Sequence, residues 1–289
     1  MGGVMARYLP RAPEELTAGR LKRLGEGMGK VVYASEHWVV QRPRSPREIL
    51  ALIVLWRSLR RIEHALPFGL GRFLLRHPSP QLRLLRVLTQ MVMMLGPRAL
   101  WPLTHAREML RTYLRRARRG EKLAQTYLTE TMLVPERIEF PPTKVRVGGW
   151  PGWLIVSEAT ERVESTLYER LADLAREGRF EEVEHWLGLF LELRRAGWRR
   201  GLFSLDAHLK NFGVVGDRVV LLDSGGLTDD WQEVSRQLEV EEVMAEPHIR
   251  LGLGRILATR PDIAARFNER WKAMVNRESV SGHWPAGTG

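Results

Sequence analysis

The chain contains no cysteine, which excludes a disulfide framework and any zinc site built on thiolates. Long hydrophobic runs are missing too. The longest uninterrupted apolar stretch is Ile49 to Trp56, far short of the ~20 residues that a membrane-crossing helix requires. The N-terminus lacks the apolar core of a signal peptide, and these absences together predict a cytoplasmic protein. Negative charge is in short supply: 34 acidic residues stand against 45 basic ones, for a net charge of +11. Such an excess favours acidic partners, namely nucleotides, anionic lipid surfaces or nucleic acid. At 289 residues and 44% hydrophobic content, the chain can hold a large core, as one bilobal unit or two modest domains.

The most informative stretch is Gly201 to Asp230. It contains an acid followed by an amide five positions on, Asp206 and Asn211. An apolar strand, Arg218-Val219-Val220-Leu221-Leu222, then ends on Asp223-Ser224-Gly225-Gly226. Phe212 to Val215 and Val219 to Leu222 are β-branched or apolar runs, and Gly216-Asp217 between them reads as a two-residue hairpin turn. Folding that hairpin brings Asp206, Asn211 and Asp223 to one mouth. Magnesium asks for such a site: one or two carboxylate or amide oxygens, completed by phosphate oxygens and water.

Nearer the N-terminus, residues 1 to about 18 read as a lead-in arm. Leu21 to Leu24, then Gly25-Glu26-Gly27-Met28-Gly29-Lys30, then Val31 to Ala34 form a strand, a glycine loop and a strand. Gly25, Gly27 and Gly29 leave backbone N–H groups free to approach phosphate oxygens, although a plain glycine-rich hairpin turn has the same pattern. A third strand is expected at His37 to Arg42, stopped by Pro43. Ser45-Pro46-Arg47-Glu48 opens a helix with an N-cap serine, a first-turn proline and a glutamate three residues after the cap.

The two halves together resemble the protein-kinase-like superfamily. The features that carry the resemblance are the Asp206/Asn211 spacing, the strand ending in Asp223-x-Gly, and the glycine loop upstream. The details are similar to bacterial members: YrbL-type proteins, lipopolysaccharide core sugar kinases and aminoglycoside phosphotransferases. His208, two residues after Asp206, is a feature of the last group. Ser204-Leu205 departs from the His-Arg or His-Gly pair usual before the aspartate.

The resemblance implies an α+β bilobal fold, with a small β-rich N-lobe (1–157), a helical insertion at about 64–130 and a mainly helical C-lobe (158–289). It implies ATP and magnesium in the interlobe cleft, Asp206 as the group that takes or orients the acceptor hydroxyl proton, and Asn211 and Asp223 as magnesium ligands. The strand lysine of the family falls at Gln41, and the resemblance offers Lys30, at the end of the glycine loop, as the replacement cation. A solvated loop lysine is the other reading of Lys30. Glu48 is the candidate for the helix glutamate that orients the phosphate cation, and its capping-box role explains it equally well. Trp153 to Val156 running into Ser157-Glu158-Ala159 resembles the hinge, so Glu158 and Ala159 would offer main-chain groups to adenine.

Between residues 64 and about 130, prolines and glycines divide an arginine-rich stretch into expected short helices such as Leu82 to Leu95 and Ala106 to Arg119. Beyond Leu167 the spacing of Val183, Trp186, Leu187, Phe190 and Leu191 predicts helix. Helix is expected again from Asp230 to about Asn276, with interruptions at Pro247 and Pro261 and a flexible tail from Ser279. No Ala-Pro-Glu follows Asp223, which favours a small or lipid-linked acceptor over an extended peptide. The expected activity is therefore phosphoryl transfer to the hydroxyl of a cell-envelope sugar, a small molecule or a protein. Two alternatives stay open. One is a pseudokinase serving as nucleotide sensor or scaffold. The other is a module that binds an anionic membrane surface, peripherally at its inner face, or RNA through the Arg-rich stretch; nucleic acid is the less favoured of the two.

Overall fold

The computed structural model describes residues 7–26, 29–54, 100–128, 133–149 and 151–284, with backbone only for 100–105. Gly27, Met28 and the helix expected at Leu82 to Leu95 lie outside the described residues. The chain is a mixed α/β protein in two units. One comprises Met1–Arg23, Tyr33–Val40 and Arg116–Gly289, the other Leu24–Val32 and Gln41–Arg115. The division falls elsewhere than after residue 157.

In the first unit the expected lead-in arm is structured. β1 (Arg7–Tyr8) pairs in parallel with β5 (Arg137–Val147), and the short helix α1 (Glu14–Thr17) buries Leu16 completely. β2 (Arg20–Glu26), β3 (Lys30–Ala34) and β4 (Trp38–Pro43), each divided between the two units, and β6 (Trp153–Glu161) follow. Their sheet order is β1-β5-β2-β3-β4-β6, with β6 also paired to β5. The β5–β6 register slips between Glu139 and Thr143. Pro141 and Pro142 stand there, and neither has an N–H to offer the ladder. β6 outruns its expected end at Val156. Its added residues are held by pairing rather than by apolar pattern, Ala159 to Ile138 and Thr160 to both Arg137 and Val39.

The chain leaves the sheet at Arg162 and forms β7 (Ser165–Thr166) and α4 (Leu167–Arg176); α2 and α3 belong to the second unit. Thr166 and Glu169 form a capping box at the start of α4, satisfying two backbone donors that the first turn would otherwise strand. α5 (Phe180–Trp198) buries Val183, Trp186, Leu187, Phe190, Leu191, Arg194 and Trp198 along one stripe. The hairpin β9 (Phe212–Val215) and β10 (Arg218–Leu221) follows the short strand β8 (Phe203–Ser204). Phe190 meets Phe212 edge-on at 4.9 Å and stacks on Trp271 at 6.1 Å. One aromatic wedge thus ties the hairpin to two helices.

β11 (Leu227–Thr228) precedes α6 (Trp231–Glu242), α7 (Pro247–Arg250), α8 (Pro261–Met274) and α9 (Arg277–Ser281). Pro247 and Pro261 open helices instead of interrupting one, because a first-turn proline lacks only an N–H that has no helical acceptor there. The expected flexible tail is also packed as far as Trp284. Val280 is fully buried, and Trp284 lies against Trp231 at 5.7 Å.

In the second unit, α2 begins at residue 46 and is described to residue 54. Ser45 and Glu48 cap it reciprocally, Glu48 N–H to Ser45 Oγ at 3.2 Å and Ser45 N–H to Glu48 Oε2 at 2.8 Å. Ile49 and Ile53 of α2 pack on Ala106 of α3 (Leu100–Tyr127). The short piece expected at Ala106 to Arg119 is part of one 28-residue helix, whose residues from Arg116 on belong to the first unit. Among the described residues no helix is long and apolar enough to cross a membrane.

Candidate functional site

The two-residue turn fixes what the hairpin brings together. Val215 pairs with Arg218 and Phe212 with Leu221, and Gly216 takes a positive φ of 58° that a side-chain-bearing residue adopts at a cost. With that register the residues just outside the ladder, Asn211 and Leu222-Asp223, face each other. The Asn211 carbonyl accepts from Leu222 N–H at 2.8 Å and from Asp223 N–H at 3.4 Å.

Asp206 is held at the same mouth by its neighbours. Its Oδ1 accepts from His208 N–H at 3.2 Å, a local turn of the kind aspartate favours. Its carbonyl accepts from Asn211 Nδ2 in a long 3.5 Å contact. Gly226 backs directly onto it, and Leu205 N–H donates to the Gly226 carbonyl at 2.8 Å. β8 and β11 pair antiparallel, Ser204 with Leu227, so the turn after Asp223 and the loop before Asp206 are stitched side by side.

Asp206 and Asp223 are exposed and Asn211 half-buried. Asn211 Nδ2 is turned to the Asp206 carbonyl, and its Oδ1 has no partner among the described residues. Asp223 Oδ1 accepts from Gly225 N–H at 2.9 Å, and Oδ2 has no partner among the described residues. Among these residues no cluster of three or more His, Asp or Glu side chains could hold a metal ion by itself. The donor types of Asn211 and Asp223, an amide oxygen and a carboxylate, are those that magnesium takes beside phosphate and water.

Beside this cluster lies a close helix contact that the sequence reading missed. Gly120 of α3 packs so tightly on the Ser224 carbonyl that a Cβ there would lie 1.9 Å from the oxygen. Arg119 pairs with Asp229 at 2.5 Å and Arg116 with Glu233 at 3.2 Å. A glycine inside a helical stretch, closing a run of arginines, was the available signal.

The other expected site residues are placed as follows. Gly25 is exposed at the end of β2, while a Cβ on Gly29 would meet the Tyr113 hydroxyl at 2.3 Å. Lys30 opens β3 half-buried, and Gln41 on β4 is exposed. Glu48 does two jobs at once. Besides capping α2 it receives the Arg42 guanidinium through two hydrogen bonds, 2.9 and 3.2 Å. Arg42 and the Ser45 backbone hold the Glu48 carboxyl down near 2. The strand cation that meets the helix glutamate is therefore Arg42, the neighbour of Gln41. These residues belong to the second unit, and Asp206, Asn211 and Asp223 to the first.

Glu158 and Ala159 lie inside β6, not in a connection. Ala159 is buried and registers with Ile138; the Glu158 side chain pairs with Arg137. The chain leaves this strand at Arg162-Val163-Glu164 instead. No family model, curated protein or solved structure matches this chain.

Proposed function

We propose that the chain is an ATP- and magnesium-dependent phosphotransferase of protein-kinase-like bilobal fold that acts on a hydroxyl group. The observation that carries this reading is the gathering of Asp206, Asn211 and Asp223 at one hairpin mouth, braced by Gly226. Phosphoryl transfer asks the protein mainly to position reactants and neutralise charge. Asp206, exposed and oriented by His208 N–H, aligns the acceptor hydroxyl and takes its proton. Asn211 Oδ1 and Asp223 hold magnesium, which when bound draws charge from the phosphate oxygens. In the second unit, Lys30 is the candidate cation for a nucleotide phosphate. The acceptor class stays open among envelope sugar, small molecule and protein hydroxyl.

The test is thermal unfolding with MgATP. At ~100 times its dissociation constant a ligand specific to the native state adds about 2.7 kcal/mol of stability. Wild type should show the corresponding rise in Tm, and Asp223→Ala should lose it. Asp206→Ala should keep the rise and lose turnover of MgATP. Absence of any rise at millimolar nucleotide would overturn the proposal.

Exposed Gln41 and the commitment of Arg42 to Glu48 favour one second reading, a nucleotide-binding scaffold without turnover. It predicts the same MgATP stabilisation with no ATP consumed by wild type.

A further inference from the structure

We infer that Arg194 is the positioning residue of the Asp206 loop, holding the Ser204 carbonyl so that the chain turns at Leu205 and presents Asp206. The inference rests on the phosphotransfer reading for its functional meaning and on geometry for the rest. Arg194 sits in the apolar stripe of α5, where an aliphatic side chain would be ordinary. It is 4% exposed, and a buried cation is retained against a desolvation cost that an apolar residue of the same volume would avoid. Its Nη1 donates to the Ser204 carbonyl at 2.9 Å, and Ser204 Oγ donates to the Asp206 carbonyl at 3.0 Å. One short relay thus runs from the helix to the aspartate.

The guanidinium lies over three rings: Phe203 at 4.9 Å, Trp271 at 5.7 Å and Trp198 at 5.8 Å. These fix it without offering a hydrogen-bond acceptor, and Nε has no partner among the described residues. Burial pushes its pKa down to about 10, opposed by the fields of Glu241 and Asp206, so it remains a cation at neutral pH. The Glu241 carboxylate is itself engaged by Arg250 at 3.1 Å and by Gln237 at 2.8 Å. The directed contact of Arg194 is therefore with the loop that carries Asp206.

The experiment compares wild type, Arg194→Met and Arg194→Lys in the full-length chain. Two measurements are made: amide hydrogen exchange, and turnover of MgATP with water as acceptor. In Arg194→Met the amides of Leu205 and His208 should lose at least about tenfold of their protection, while those of α8 stay within about twofold. The kcat should fall about tenfold or more with the nucleotide KM within about threefold. Arg194→Lys, which keeps the charge but not the planar fork, should fall between the two.

Unchanged exchange at Leu205 and His208 would overturn the inference. So would a loss of protection spread equally over α5 and α8, the signature of a merely structural residue. If Arg194→Met does not fold, the same exchange criterion decides on Arg194→Lys. If wild type turns over no MgATP, the phosphotransfer reading fails, and exchange alone decides the role of Arg194.

Discussion

Gly226 lies flat against Asp206. A Cβ added to the glycine would stand 3.2 Å from the Asp206 nitrogen and 3.3 Å from its Cβ. Those contacts are tight enough that the aspartate must shift by a few tenths of an ångström to admit an alanine. Gly226→Ala should therefore lower kcat about tenfold or more, since a misplacement of about 1 Å costs ~100-fold in a positioned reaction. The Leu205–Gly226 hydrogen bond survives the change, so Tm should fall by only a few degrees. Kinetics of MgATP turnover beside a melting curve check this; equal turnover in the variant would show that Asp206 is not positioned against residue 226.

A second glycine makes a harsher contact. A methyl at Gly120 would meet backbone, the Ser224 carbonyl oxygen at 1.9 Å, and backbone gives way less easily than a side chain. Gly120→Ala should destabilise the first unit by about 1–3 kcal/mol, as overpacking does, despite the gain in helix propensity that alanine ordinarily brings. Urea unfolding measures it. A stabilised variant would mean that α3 does not pack on the turn after Asp223.

How much of this could be read from the chain depends on what holds each piece. The hairpin was legible because its signal is local: β-branched runs around Gly216-Asp217, a turn of fixed length, and so a fixed register. The cap of α2 and the stripes of α4 and α5 were legible for the same reason. Long-range pairing decides the rest. Nothing in Arg7-Tyr8 marks a strand, yet β5 pairs with both residues. Ser157-Glu158-Ala159 resembles a hinge and is strand because β5 pairs along it. Trp284 sits among glycines and a proline, and its burial comes from the core it joins, with Trp231 beside it. Arg194 was hidden by its type, although it falls in step with Val183, Leu187, Phe190 and Trp198 on the buried face of its helix.

Trp284 gives a third prediction. Trp284→Ala removes a ring that is 9% exposed from a C-terminal segment expected to be flexible. If the packing against Trp231 is part of the fold, the variant should lose about 2–4 kcal/mol, toward the low side of large-to-small aromatic substitutions because the site is at the edge of the core. Denaturant unfolding followed by fluorescence checks it, and a loss below about 0.5 kcal/mol, the range of neutral surface changes, would return the segment to the status of a loose tail.

Two cations compete for the phosphate role in the second unit, and their partners separate them. Arg42 is bound by both oxygens of Glu48, whereas the Lys30 amine has no ion pair among the described residues. Lys30→Met should therefore raise the nucleotide KM about tenfold, ~1.4 kcal/mol of binding, and leave Tm nearly unchanged. Arg42→Ala should do the reverse, lowering stability with little effect on KM. Exchange of those two outcomes would assign the phosphates to Arg42 and make Glu48 its orienting partner.

The same ion pair sets an acid limit on stability. Arg42 first, then the Ser45 backbone, lowers the Glu48 carboxyl from 4.5 to about 2. A carboxyl whose pKa is lower folded than unfolded stabilises the fold above the unfolded value. That contribution disappears as pH falls through the folded value, so it is full at neutral pH and declines between about 4.5 and 2. Glu48 is 36% exposed at its side chain, so solvent screening keeps the pair's worth to about 1 kcal/mol or less. Glu48→Gln, which keeps the size and can still accept from Ser45, should be less stable than wild type at pH 7 and indistinguishable from it near pH 2. Chemical denaturation at both pH values measures the difference. A gap that persists undiminished at low pH would mean that shape, rather than the charge shared with Arg42, is what Glu48 contributes to the start of α2.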